Sequence, residues 1–364
     1  MLGNGLGEVL EGMVGRHKRF IDLFTGSASV AWHVARRYPI ETWAFDLQHY
    51  SKALAASVIQ RNHSADPIKL WKDWLRRATP RFETYDAPVS CDISATFVKK
   101  SRIWSNQFDT TSLVNAYAGH YYSPNQAAWI QALRDTLPPK SPNREICLAA
   151  LVMAASKCAA SPGHTAQPFQ PTETALKFLQ ISWQRNICAD VQTALAQIAP
   201  MHAQVVGEAH VGDANQMASQ LKPGDLAFID PPYSAVQYSR FYHVLEAIAA
   251  GATSPVFGVG RYPPLSERPS SQYSQKTTSL TAMQELLTSL SERDVSAIVT
   301  FPDHECSNGI DANIIKDVAS KIFKVKTHRV SSVFSTLGGP ASKKLGPRLA
   351  RLSADEMILC LEPK

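Results

Sequence analysis

The chain has 364 residues, of which 45% are hydrophobic and 19% are charged, and its formal net charge is +6. These values are ordinary for a soluble globular protein with a substantial core and room for two domains. No apolar run is long enough to span a bilayer, no apolar signal core precedes Arg16, and the six cysteines form no C-x-x-C pair. We therefore expect a cytoplasmic protein with reduced thiols, whose mildly basic balance is compatible with a polyanionic partner.

The first part of the chain is predicted to alternate between strands and a helix. A strand over 19–24 is followed by a turn of small residues over 25–29, a helix over 30–38, and a second strand over 42–45 that ends in Asp46. Such a turn lets a ligand approach the backbone and a helix N-terminus, and an acid after the second strand can bind ribose hydroxyls. The pattern predicts a nucleotide-type βαβ unit, and a plain structural βαβ unit is the alternative.

The alternation stops between 66 and 201. Helices are predicted over 71–77, 124–137 and 146–160, with irregular polar stretches between them. Because this segment lacks alternating strands, it is interpreted as an inserted, mainly helical module.

Strands and helices alternate again from His202. A strand at 203–206 or 209–211 leads to Gly212-Asp213-Ala214, and a short apolar strand covers 226–229. The remaining predicted helices and strands cover 241–250, 280–290, 297–301, 314–323, 323–333 and 357–361, with a basic loop over 338–351. The order predicts an α/β fold.

The tetrapeptide Asp230-Pro231-Pro232-Tyr233 follows the strand at 226–229. Proline cannot donate to a sheet ladder, so the strand must end there, which puts Asp230 at the edge where open α/β sheets build their sites. Pro232 favours an extended Pro231. The Asp230 carboxylate and Pro231 carbonyl could accept both N–H groups of a base amine, while Tyr233 stacks on the flipped base. A polyproline turn with a surface aspartate is the alternative.

Polar residues after the tetrapeptide are further candidates. Tyr238, Arg240, Tyr242 and His243 could line a pocket for the flipped base, or form the polar face of an amphipathic helix. Clustered cations are candidate phosphate contacts, with solvated surface charge as the alternative: Arg76, Arg77, Lys99, Lys100, Arg102, Lys343, Lys344, Arg348 and Arg351.

Taken together, these motifs resemble the D12-class DNA adenine-N6 methyltransferases. Segment 20–30 is similar to the family's cofactor motif, and 212–214 to its adenosine-binding motif. Segments 237–246 and 117–127 resemble one branch of such enzymes. The cofactor motif precedes the catalytic motif, as in the family's alpha arrangement.

The resemblance implies a Rossmann-like class I methyltransferase domain at 1–65 and 202–364, with a target-recognition insert at 66–201. It implies S-adenosylmethionine as methyl donor, with no metal. Gly26 would lie beneath the methionine part, Asp46 would bind the ribose, and Asp213 would bind the adenine amino group. The implied cofactor residues are Asp22, Phe24, Gly26, Ser27, Asp46, Leu47, Asp213, Ala214 and Asp230, and the implied catalytic residues are Asp230, Pro231, Pro232 and Tyr233.

The implied substrate is double-stranded DNA with the target adenine flipped out, methylated by a monomer or homodimer with or without a cognate restriction endonuclease. RNA adenine-N6 methylation, DNA cytosine-N4 methylation and a catalytically weak DNA-binding module are the alternatives. Two positions depart from the family pattern. Ala28 replaces a glycine, so the backbone there is expected to differ or the cofactor to bind more loosely. Gly5 replaces a lysine that helps to hold the cofactor.

Overall fold

A single mixed sheet organises the computed structural model, which describes residues 2–335 and 351–364. Its strands are β1 (Arg19–Asp22), β2 (Glu41–Asp46), β3 (Glu208–Val211), β4 (Asp225–Ile229), β5 (Ser296–Pro302), β6 (Phe323–Ser335) and β7 (Arg351–Pro363). The seven-stranded sheet has the order β3-β2-β1-β4-β5-β7-β6. Strands β1 to β5 pair in parallel, whereas β7 runs antiparallel to both β5 and β6. The predicted α/β class with a Rossmann-like sheet is confirmed.

Helices cover both faces of this sheet. They are α1 (Gly7–Val14), α2 (Ser29–Arg37), α3 (His49–Ile59), α4 (Pro67–Glu83), α5 (Ala95–Ser105), α6 (Leu113–Tyr117), α7 (Pro124–Asp135), α8 (Asn143–Cys158), α9 (Leu176–Trp183), α10 (Ile187–Ile198), α11 (Ala214–Ala218), α12 (Ser239–Ala250), α13 (Ser279–Glu292) and α14 (Ala312–Ile322). Across residues 2–335 and 351–364, no helix is long and apolar enough to cross a membrane.

The central strand β4 is buried on both faces, which explains the continuous apolar run in its sequence. Leu226 and Phe228 point into the core beneath α1 and α2, whereas Ala227 and Ile229 point into the core beneath α11, α13 and α14. All residues of β4 are buried. A parallel strand covered on both faces needs apolar side chains at every position, which is the pattern predicted for 226–229.

The segment between β2 and β3 is mainly helical, as predicted, and contains α4 to α10. Helices α4, α6, α7, α8 and α10 share one hydrophobic core with α3 and α12, whereas buried residues of α5 and α9 form a smaller cluster. The buried Arg61, just after α3, donates from its guanidinium to the carbonyls of Ile198 and Ala199 at the end of α10. Burial lowers the pKa of Arg61 to about 10. Residues 66–201 are therefore joined to the rest of the chain by both apolar and polar contacts.

The structure settles the position of the third strand and describes only the end of the predicted basic loop. Of the two alternatives for the third strand, the structure has Glu208–Val211, close to 209–211. Of the basic loop predicted at 338–351, residues 338–350 lie outside the described residues, and Arg351 begins β7.

Candidate active site

A cleft of about 460 Å³ opens at the carboxyl ends of β1, β2 and β4. Strand β1 pairs with β2 on one side and β4 on the other, so the connections diverge here, as at the ligand crevice of open α/β sheets. The cleft is lined by every residue that the sequence assigned to cofactor binding or catalysis: Asp22, Phe24, Gly26, Ser27, Asp46, Leu47, Asp213, Ala214, Asp230, Pro231, Pro232 and Tyr233.

The turn between β1 and α2 forms one wall. Gly26 has a φ of 52°, and its N–H donates to Asp46 Oδ2 at 2.8 Å. Thr25 N–H donates to the Phe45 carbonyl at 3.0 Å, so the turn is tied to the end of β2. Alanine at position 28 was expected to change the backbone or to loosen cofactor binding because it disfavours positive φ, and the structure nevertheless gives it a positive φ. Ala28 is buried and left-handed, with φ 64° and ψ 9°, and its N–H donates to the Thr25 carbonyl at 2.8 Å.

Asp46 sits where a ribose acceptor was predicted. Its Oδ2 accepts from Gly26, and its Oδ1 accepts the N–H of Gln48 at 3.0 Å. Burial raises the pKa of Asp46 to about 6, against the lowering effect of these two backbone bonds. The carboxylate therefore both shapes the glycine turn and faces the cleft.

Asp22 and Asp230 add two further carboxyl groups to the same cleft. Asp22 is 1% exposed, and its burial raises its pKa well above the ordinary value, with the nearby Asp230 and Asp46 carboxylates adding to the effect. Phe24 N–H donates to Asp22 Oδ1 at 3.3 Å. Carboxylates gathered in a partly desolvated cleft favour a cationic ligand, because a positive charge relieves their mutual repulsion.

The catalytic candidate Asp230 is held from the neighbouring strand. Thr300 on β5 donates its hydroxyl proton to Asp230 Oδ1 at 2.9 Å. Burial, and secondarily the charge of Glu356, raise the pKa of Asp230 to about 7, whereas the Thr300 bond lowers it. Asn308 donates to the Pro232 carbonyl at 3.0 Å, which fixes the turn after Asp230.

Asp213 begins α11 and caps it. Its Oδ1 accepts the N–H groups of Asn215 at 2.9 Å and Gln216 at 3.2 Å. Both capping bonds use the same oxygen, so Oδ2 is available to a ligand in the cleft.

Several cleft residues were not singled out from the sequence. They include Gln48, Tyr50, Ser271 and Tyr273. Tyr273 packs edge-on against Phe24, with ring centroids 4.9 Å apart. Gln237 and Ser271 exchange two hydrogen bonds, at 3.0 and 2.8 Å. The aromatic character of Tyr50, shortly after Asp46, was a usable signal, but Tyr273 lies in an irregular segment without a motif.

The predicted substrate residues separate into two groups. Tyr238 lines the cleft, whereas Arg240, Tyr242 and His243 do not. Tyr242 lies behind the cleft wall, its ring 5.5 Å from that of Tyr50. His243 is 3% exposed, and burial lowers its pKa to about 4. A buried neutral imidazole outside the cleft is placed to support structure rather than to touch a base.

Gly5 also lies outside the cleft, in a groove beside β6. It has a φ of 97°, and a Cβ there would meet Val330 Cγ1 at 2.9 Å. A lysine at this position would therefore be strained and directed toward β6. Leu2 is the residue of this N-terminal segment that reaches the cleft.

Comparison with known proteins gives two matches. The family model for D12 class N6 adenine-specific DNA methyltransferases matches residues 5–301. A stretch of 46 residues is 44% identical to part of the protein named modification methylase LlaI from Lactococcus lactis subsp. lactis. This stretch is 13% of the present chain and spans only 7% of that relative.

Proposed function

We propose that this chain, which belongs to the D12 class N6 adenine-specific DNA methyltransferase family, transfers a methyl group to adenine N6 in double-stranded DNA. The observation that carries the proposal is Asp230 at the end of β4, anchored by Thr300 and followed by the two-proline turn inside the cleft. Sequencing the methylated bases in DNA from cells that express the chain tests it. Absence of N6-methyladenine above the level of an Asp230→Ala control would contradict it.

The cleft suits S-adenosylmethionine, which supplies a methyl group on a positively charged sulfur when bound. The Gly26 turn gives close access to the backbone, and Asp46 offers a carboxylate to the ribose hydroxyls. Asp213 has Oδ2 for an adenine amino group. Burial raises the pKa of Asp22 and Asp230, and a bound sulfonium would favour the ionised form of both carboxyl groups.

The chain's own part in the reaction is to position and polarise the target amine. The Asp230 carboxylate accepts a hydrogen bond from one N6–H group, and the Pro231 carbonyl accepts a hydrogen bond from the other. Together these bonds turn the nitrogen lone pair out of the base plane. Tyr233 and Tyr238 line the same cleft and offer aromatic faces to an extruded base. As the positive charge develops on N6, the Asp230 carboxylate stabilises it.

The rate should depend on pH through Asp230. Only the ionised carboxylate stabilises the positive charge that develops on N6, and the pKa of this group is about 7, so the single-turnover rate at saturating cofactor should fall as the pH drops below that value. Thr300→Val removes a bond that favours the ionised form. The acidic limb of the profile should then move to higher pH, by roughly half to one pH unit.

The measurement is single-turnover transfer of labelled methyl from about pH 5.5 to 8.5 for both proteins. Thr300 is fully buried and valine has nearly its shape, so the variant should fold. A flat wild-type profile, or a variant profile shifted to lower pH, would refute the role of Asp230.

Asp46→Ala should weaken cofactor binding. The change removes a charged acceptor at the end of β2, and such a bond is worth roughly 1.5–3 kcal/mol, about tenfold or more in Kd. Calorimetric titration with S-adenosylmethionine measures it. Asp46 accepts from Gly26 with Oδ2 and from Gln48 with Oδ1, so Asp46→Asn is the matched control that removes the charge but keeps an acceptor for one of these two N–H groups. An unchanged Kd in folded Asp46→Ala would remove the ribose assignment.

We propose that the insert at 66–201 determines which DNA sequence is methylated. Sequence is specified by contacts to bases, and the site edge of the sheet already forms the cleft, so the insert is the part of the chain left to make those contacts. Exchanging this segment for that of a related enzyme should change the methylated sequence. The exchange replaces α10, so the new segment must also supply carbonyls that can accept from Arg61. An active chimera that methylates the original site would place recognition elsewhere. Cytoplasmic location and a restriction partner stay predictions.

A further inference from the structure

A short hairpin after α12 exposes apolar side chains. Phe257 and Tyr262 pair antiparallel, with N–H to carbonyl distances of 2.8 and 3.0 Å. Gly258 and Arg261 have positive φ and turn the chain between them. Phe257 is 62% exposed and Val259 is 58% exposed. Single exposed apolar residues are common, but two on one hairpin need an account.

Hydrogen bonds hold the turn of this hairpin and its residue Tyr262 against the rest of the protein. The carbonyl of Gly260 accepts from Tyr121 Oη at 3.0 Å and lies 2.8 Å from His243 Nε2. Arg261 donates to two carbonyls of α6, and the Tyr262 hydroxyl donates to a carbonyl of the insert. Phe257 and Val259 are therefore exposed on an anchored hairpin rather than on a loosely held loop. His243, predicted as a substrate contact, is part of this anchor.

Two cations lie against the Tyr262 ring of the hairpin. The guanidinium carbon of Arg240 lies 5.7 Å from the centroid of the Tyr262 ring, and that of Arg268 lies 5.2 Å from the same centroid. Each arginine is adjacent in sequence to a residue that lines the cleft: Ser239 precedes Arg240, and Pro269 follows Arg268. Within the described part of the chain, neither arginine forms a salt bridge with an acid.

We propose that Phe257 and Val259 form an apolar wedge that enters the base stack of duplex DNA beside the extruded adenine, with Arg240 and Arg268 on the flanking phosphates. The inference rests on the proposed function. Extruding a base breaks stacking on both of its neighbours, and apolar side chains inserted between base steps compensate part of that loss. Cations beside the wedge position it on the backbone without reading sequence.

The test compares two duplexes that carry the methylated site. In one the target adenine faces thymine, and in the other it faces an abasic position, where extrusion is easier. The double variant Phe257→Ser, Val259→Ser should lose about tenfold or more in single-turnover rate on the paired duplex. On the abasic duplex it should stay within about twofold of the wild type, because a base that is already unpaired needs less help to leave the stack.

Leu265→Ser is the matched control, since Leu265 is 76% exposed in the same segment but lies outside the hairpin. It should match the wild type on both duplexes. An active wild type combined with a double variant that is unaffected, or equally impaired on both duplexes, overturns the wedge alone; equal impairment would indicate a contact that serves binding in general. A wild type that transfers no methyl group to either duplex overturns the proposed function and the wedge together.

Discussion

Asp230→Asn is expected to reduce single-turnover methyl transfer by about 10²–10³-fold, by analogy with the loss of one preorganised group that stabilises transition-state charge. Asparagine retains the volume and can still accept the Thr300 proton that Asp230 Oδ1 accepts at 2.9 Å. It loses the negative charge that stabilises the positive charge developing on N6. Cofactor affinity should change less, because Asp46, Asp213 and the Gly26 turn remain in place.

The same substitution should stabilise the fold at alkaline pH. The folded pKa of Asp230, about 7, lies above its ordinary value of 3.8, so ionisation disfavours the folded state. The stabilising effect of the protonated carboxyl is complete below about pH 4 and is lost as the pH rises through 7. Asparagine cannot ionise, so the unfolding free energy of the variant should exceed that of the wild type at pH 8, with a smaller difference at pH 5.

Labelled methyl transfer, calorimetry with the cofactor and denaturant unfolding at both pH values measure these effects together. Asp303→Asn is the matched control, because Asp303 follows the neighbouring strand β5 and does not line the cleft. A variant that is inactive and less stable at pH 8 would indicate a damaged fold and leave no support for the charge argument. A variant with the wild-type rate would remove the proposed mechanism altogether.

The strand-end residues of the cleft could be predicted because their signals are local. An apolar run followed by an acid at Asp22, Asp46 and Asp230 marks both the buried strand and the edge where it ends. Parallel pairing then brings these edges together without further information. Position at a strand end was enough for Asp46 and Asp230, whereas Asp22 was predicted within a strand over 19–24 and linked to the cofactor only by the family resemblance.

The helix after the tetrapeptide shows where such reasoning stops. Tyr238, Arg240, Tyr242 and His243 are close in sequence, but a helix directs them to different sides. Which side faces the cleft depends on the hairpin at 257–262, whose carbonyl at Gly260 lies against His243. That contact depends on tertiary packing, so it cannot be predicted from the periodicity of the helix sequence.

Ala28 illustrates a related failure of local preference. An L residue in the left-handed region costs roughly 1–2 kcal/mol, so alanine alone argues against that conformation. In the protein, Ala28 is fully buried against α2 and α3 and bonded to Thr25, and these contacts fix the turn. The surrounding structure outweighs the preference of one residue, which a single position in a sequence cannot show.

Gly207→Ala should lower the unfolding free energy by about 3 kcal/mol or more, at the upper end for overpacking. Gly207 precedes β3, and its N–H donates to the Ile59 carbonyl at 2.8 Å. A Cβ at this position would lie 1.9 Å from the backbone carbonyl oxygen of Thr42 on β2. Because the obstacle is backbone, the methyl group can be accommodated only if β3 moves away from β2, and Asp213 would move with it.

Gly12→Ala is the matched control, because Gly12 lies within α1 and a Cβ there meets nothing within 4 Å. Alanine at an exposed helical position should instead stabilise by roughly 0.5–1 kcal/mol. Denaturant unfolding measures the unfolding free energy of both variants. Calorimetry with the cofactor is then done on the folded fraction of the Gly207→Ala protein. Opposite signs of the two changes are expected. A Gly207→Ala chain as stable as the wild type would mean that β3 can leave β2 at little cost, and that the closeness of Asp213 to the cleft does not depend on this strand pair.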